Sequence, residues 1–365
     1  MDYLSMLNQY MKNLNPNAIT LNFFKKRFPN DKFPPIIIHI TYVMVAITFT
    51  YLYHHKFVHG ADFSSIGSPG GIWAVANFES IKPIQFRIFL PLIFKGLSII
   101  TSITDKPLFF LINSAQVYLI LLSFYFLLNK HFQNKIWNGR LALIIIYPMI
   151  WNLVIMNGQF FYMDFGLLLF MVIGYYFIVS KRNNWLLLTF FIGLLNHGAV
   201  IYLIVSYLLY NYKYIFRLKT IFYAAAMTII FVGTLTILNL MMPSTTGGQI
   251  LVNNLPRNIE LLLTLQKHLL LRDFLFNFGG LYFFVLFFLV TGAWKKFKGP
   301  YLYIHLVLIP FMITLMLTFS VEEMRNYSAI IPNILIMSLF LISTFENSFL
   351  KPWDKIYAQS KEDTK

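Results

Sequence analysis

The residues of this 365-residue chain best able to do chemistry are few, and they recur at the ends of apolar runs. Asp62 stands alone in His59-Gly60-Ala61-Asp62-Phe63. Glu79, Lys82, Gln85 and Arg87 follow, then Asn157, Gln159 and Asp164, then Glu322, Glu323 and Arg325. A carboxylate such as Asp62 can take a proton from an attacking hydroxyl. Arg87, Lys82 and Arg325 can hold a phosphate, the guanidiniums through paired hydrogen bonds. Each also has a plainer role. Asp62 can cap the loop before Ser64-Ser65, and Arg87 can reach lipid headgroups along an apolar stem. Asn157 and Gln159 can join helices by hydrogen bonds, while Glu322, Glu323 and Arg325 can form a solvated turn. Asp164 falls about one turn inside an apolar run and needs a partner there.

His54, His55, His59 and Asp62 form a second group. His55 and His59 are four apart, as on one helical face, with a spacing that suits a metal. They also stand beside Tyr51 and Tyr53, where amphipathic side chains collect at a membrane edge. No metal or other cofactor is assigned. The chain has no Cys, which removes disulfides and thiolate metal sites.

The elements that must position these residues are membrane helices. The composition is 58% hydrophobic and 12% charged, with mean hydropathy +0.65, and stretches such as 108–128 and 220–240 exclude charge. A spanning helix needs about 20 apolar residues. Eight spans are expected, near 36–53, 107–128, 141–157, 161–180, 220–240, 277–293, 301–320 and 327–346. The fold class is therefore an all-α polytopic membrane protein. A polar segment, 1–33, precedes the transmembrane domain at 34–346, and a polar tail follows at 347–365. The first segment is too polar for a cleaved signal peptide.

Eight crossings put both termini on one side. That side collects most of the 29 basic residues, among them Lys25, Lys26, Arg27, Lys130, Arg140, Lys181, Arg182, Lys295 and Lys296. It is therefore expected to be cytoplasmic. The opposite face holds Asp62, Glu79, Asp164 and Glu323 in its loops, of which 54–106 and 241–276 are the longest. The net charge of +15 is an orientation signal, and nucleic acid is excluded because no basic domain stands apart from the spans. Within the outer loops, 88–104 and 258–276 read as interfacial helices, and 1–32 reads as an amphipathic anchor to anionic lipid.

Trp185–Tyr210 resists simple counting, because Lys181 and Arg182 precede it while Lys213, Arg217 and Lys219 follow it. A turn at Asn196-His197-Gly198 resolves the conflict, either as a cytoplasm-facing half-membrane hairpin or as two short crossings. His197 then lies deep in the protein, a candidate for function or a neutral imidazole bonded at a helix break. Sequence position sets it apart from the outer polar groups.

Several of these pieces together resemble bacterial GT-C-type membrane glycosyltransferases. The G-x-D-F element after the first span is similar to Gly60-Ala61-Asp62-Phe63. A second, P-x-Q-[YF]-R-x-L-x-P-L, resembles Pro83-Ile84-Gln85-Phe86-Arg87-Ile88-Phe89-Leu90-Pro91-Leu92. Asn157-Gly158-Gln159 and Glu322-Glu323-Met324-Arg325-Asn326-Tyr327 are further echoes. The chain departs from the pattern in two ways: Asp62 lacks an acidic neighbour two residues away, and there is no soluble C-terminal domain. The resemblance implies transfer of a sugar from a polyprenyl-phosphate donor to a glycan, lipid or protein acceptor at the extracytoplasmic face of a bacterial cytoplasmic membrane. It implies Asp62 as base, with Lys82, Gln85, Arg87, Glu79, Asn157, Gln159, Asp164, His197, Glu323 and Arg325 as the substrate-binding set. A carrier for lipid-linked saccharide and an outer-leaflet polymerase or ligase would use similar groups.

Overall fold

A computed structural model describes residues 35–57, 71–80, 86–156, 163–241, 254–264, 277–318, 324–346 and 350–357. Among them the chain is all helix, without a strand. The helices are α1 (Ile36–Phe57), α2 (Ile72–Ala76), α3 (Phe89–Thr101), α4 (Asp105–His131), α5 (Lys135–Ile155), α6 (Asp164–Val179), α7 (Asn183–Leu194) and α8 (Gly198–Tyr210). They continue with α9 (Leu218–Met241), α10 (Leu255–Thr264), α11 (Tyr282–Val290), α12 (Gly299–Thr318) and α13 (Arg325–Phe345). Six of these, α1, α4, α5, α9, α12 and α13, are long and apolar enough to cross a bilayer. This is an integral membrane protein. Two runs expected to cross are shorter as helices: α6 has 16 residues and α11 has 9.

The apolar residues point both ways, as they must when lipid is the outer solvent. On α1, Tyr42, Ala46, Phe49 and Tyr53 are buried, while Ile36, Ile40, Met44 and Ile47 are exposed. Phe222, Ile229, Val232 and Leu240 of α9 are exposed as well. An apolar face of that extent would aggregate in water but is at ease in hydrocarbon. Helix α6 has the opposite environment, since nearly all its residues are buried among α4, α7, α8 and α13. It is the axis around which the other helices pack.

At one end of the bundle the C-terminal segment is docked onto the core. Leu350 and Ile356 are buried, Trp353 N–H donates to His131 O at 3.0 Å, and Trp353 Nε1 donates to Asn129 O at 3.0 Å. At the other end, α2 and α3 pack on the start of α4. Trp73 Nε1 donates to Asp105 Oδ2 at 2.8 Å, and Lys95 Nζ, near the middle of α3, turns to Asn77 Oδ1 at 2.9 Å.

Candidate functional site

The helical run after α6 breaks where Asn196-His197-Gly198 interrupts it. His197 takes an extended backbone (φ −162°, ψ 131°), and its Nδ1 accepts the Ala199 N–H at 3.0 Å, capping the next helix. A ring nitrogen that accepts carries no proton, so the ring proton of the neutral imidazole lies on Nε2. Twelve residues in α7 rise only about 18 Å, well short of a membrane core of about 30 Å. The helices α7 and α8 thus form a short hairpin whose apex is His197.

Three other elements meet this apex. Asn196 Nδ2 donates to Met163 O at 3.0 Å, which holds the apex against the start of α6. Gly166 permits that contact, because a Cβ there would lie 2.5 Å from Asn196 Oδ1. Phe89 N–H, at the start of α3, donates to Leu195 O at 2.9 Å, so the chain after Arg87 is bonded to the apex directly. Phe86 and Ile88, on either side of Arg87, pack with Leu195 and Leu238.

The third element is the start of α13. Arg325 Nη1 lies 3.8 Å from Asp164 Oδ1, with both side chains largely buried. Asp164, His197, Tyr202, Phe311, Arg325 and Asn326 line one small cavity of about 20 Å³, roughly enough for one water. Both Arg87 and Arg325 are close enough to His197 for their charges to act on its ring. Among these four side chains, two fixed positive charges face one carboxylate. Guanidiniums placed in this way can hold an anion through paired hydrogen bonds.

A strained junction supports Arg325 from behind. The last six residues of α5, Ile150–Ile155, form a π-helix, and its buried Asn152 accepts Phe278 N–H at 2.7 Å while donating to Asn277 Oδ1 at 2.8 Å. Phe278 has positive φ (55°) and so does Gly279 (63°). Such a backbone is costly for a bulky residue and persists only when neighbours over-determine it. Here Tyr147 O–H donates to Gly279 O at 2.9 Å, and the Phe278 ring stands edge-on to Tyr327 at 5.9 Å, two residues beyond Arg325.

The structure therefore brings together Arg87, Asp164, His197 and Arg325 from four separate stretches of sequence. Glu79 lies on an exposed turn after α2 and takes no part in the contacts that define the cluster. Asp62, Lys82, Gln85, Asn157, Gln159 and Glu323 lie outside the described residues. His54 is engaged in packing, with its Nε2 3.3 Å from Asn113 Nδ2 and its ring against Phe109 and Phe110. Sequence reasoning missed Gly166 and Tyr202. The signal for Gly166 was its place two residues after Asp164; Tyr202 gave none beyond its spacing from His197. No family model matches the chain, and neither a curated protein nor a solved structure is detectably similar to it.

Proposed function

We propose that this chain is a membrane glycosyltransferase of the GT-C type, moving a sugar from a polyprenyl-phosphate donor to a glycan, lipid or protein acceptor on the extracytoplasmic side. The observation that carries the reading is the meeting of Arg87, Asp164, His197 and Arg325 at the apex of a short intramembrane hairpin. Charges are expensive inside a membrane, and four ionisable groups at one point are a functional-site signature. In this topology α6 and α11 join the six long helices as crossings, α7 and α8 are a half-membrane hairpin entered from the cytoplasm, and α3 and α10 lie along the outer leaflet. Both termini are cytoplasmic, in a bacterial inner membrane.

The chemistry joins this cluster to groups that lie outside the described residues. Asp62 takes the proton of the acceptor hydroxyl as its oxygen bonds to the anomeric carbon. The bond from that carbon to the phosphate oxygen breaks, and its electron pair leaves with the lipid phosphate. Arg87 and Arg325, with Lys82, stabilise that departing charge. Asp164 holds Arg325 in position, and His197 offers Nε2–H to the same anion. Glu79, Gln85, Asn157, Gln159 and Glu323 complete the sugar and acceptor side. The cavity of about 20 Å³ is then only the floor of the site.

The helix break at His197 is also what a carrier for lipid-linked saccharide would use, and an outer-leaflet polymerase or ligase would hold the same phosphate. Purified protein in nanodiscs separates these readings. Binding of polyprenyl phosphate is expected to weaken at least about tenfold in Arg87→Ala and Arg325→Ala. With a panel of polyprenyl-phosphate hexoses, Asp62→Asn is expected to lose transfer by about a hundredfold or more while still binding the lipid phosphate. Unchanged binding in both arginine variants would sink the proposal, and transfer surviving in Asp62→Asn would remove Asp62 as the base.

A further inference from the structure

A second polar group lies deep in the bundle and takes no part in the proposed reaction. His131 ends α4, His305 lies in α12 and Asn333 in α13, and all three are at most 3% exposed. The two imidazole rings have centroids 6.3 Å apart, inclined by 42°. His131 Nδ1 lies 2.9 Å from Leu127 O, and His305 Nδ1 lies 3.2 Å from Asn333 Nδ2. Nε2 of each ring is buried and has no protein hydrogen-bond partner among the described residues.

These contacts assign the protons. A carbonyl oxygen only accepts, so His131 Nδ1 carries hydrogen and its Nε2 is an acceptor. An amide nitrogen only donates, so His305 Nδ1 accepts and its Nε2 carries the hydrogen. One ring thus offers an acceptor and the other a donor. A direct bond of about 3 Å between the nitrogens would draw collinear ring centres to roughly 5 Å, closer than they stand. Leaving both atoms buried and unpaired beneath the docked C-terminal segment would cost several kcal/mol for each.

We propose that one bound water bridges His131 Nε2 and His305 Nε2, accepting from His305 and donating to His131. With the Asn333 amide turned the other way both Nε2 atoms become acceptors, and the same water satisfies them by donating twice. A metal ion fits this place poorly. Lys355 acts electrostatically on His131, with its amine 5.7 Å from the centre of the Tyr301 ring that stands edge-on to His131. Among the described residues no carboxylate takes part in the contacts around the two rings. The bridge would tie α4 to α12 and, through Asn333, to α13.

The test is water-edited solid-state NMR of ¹⁵N-histidine-labelled protein in nanodiscs, with His131 and His305 assigned by His131→Phe and His305→Phe. Water-proton transfer to the Nε2 atoms of both rings supports the bridge. A nitrogen–nitrogen coupling through a direct bond, metal-shifted resonances with metal in the purified protein, or absence of water contact at either ring would each overturn it. Where the Phe variants do not fold, His131→Asn and His305→Asn supply the assignment. Thermal unfolding gives an independent reading. The double variant is expected to lower Tm by less than the sum of the two single changes, because one water serves both rings, and additive losses would refute a shared ligand.

Discussion

At the start of α6 a carboxylate, two guanidiniums and an imidazole converge, whereas about three turns along the same helix Tyr175 lies beside Ser206 and Asn333, and Asn333 in turn meets His305 of the buried histidine pair. The first group is rich in fixed charge and the second has none. Their locations explain the difference. Asp164 and Arg325 stand at helix starts beside a cavity with room for about one water, and they pair with each other. Tyr175, His131 and His305 are fully buried, where a neutral group can be satisfied by one or two hydrogen bonds and an unpaired ion cannot. A helical bundle in lipid can thus carry polar groups at two places with two kinds of side chain, and charge marks the one proposed to meet the substrate.

The comparison breaks most readily at Asp164. Asp164→Ala leaves Arg325 buried without its carboxylate, a change expected to cost about 3–5 kcal/mol of stability, whereas replacing both residues with apolar ones of similar volume is expected to cost far less. Unfolding in nanodiscs checks both; equal losses would mean that the pair is not coupled. Gly166→Val comes next. Its Cβ would strike the Asn196 side chain and push the hairpin apex away from α6, with an expected loss of about 1–3 kcal/mol and weaker polyprenyl-phosphate binding. Intact binding with lowered stability would show that the apex positions nothing of consequence. The smallest effect is expected of Arg87→Lys, which keeps the charge but loses the paired hydrogen bonds, a change of about tenfold or less in phosphate affinity with stability unaltered. Loss of fold in that variant would mean that Arg87 belongs with the structural group.

Much of the molecule was legible in the chain itself. The apolar runs announce the long helices because hydrocarbon imposes length and composition together. The break at Asn196-His197-Gly198 was legible from the charges flanking it on both sides. Asp164 declared its need of a partner by lying inside an apolar run. Which residue would answer was hidden, since Arg325 is far along the chain and reaches Asp164 only through packing of α13 on α6. The C-terminal tail reads as polar, yet Leu350 and Ile356 are buried because its few apolar side chains find a groove at the end of α4. The His131–His305 pair left no sequence signal: His131 stands among Asn129, Lys130 and Gln133 at the end of one apolar run, and His305 lies inside another far along the chain.

The sequence alone determined that this is a helical membrane protein, because burial in lipid acts on composition, residue by residue. Tertiary structure alone decided that His197 belongs with Arg87, Asp164 and Arg325. Their meeting depends on a close approach at Gly166, a backbone bond from Phe89 to Leu195, and the packing of Phe278 on Tyr327. Those contacts join segments far apart in the chain, and no local pattern encodes the distance between them.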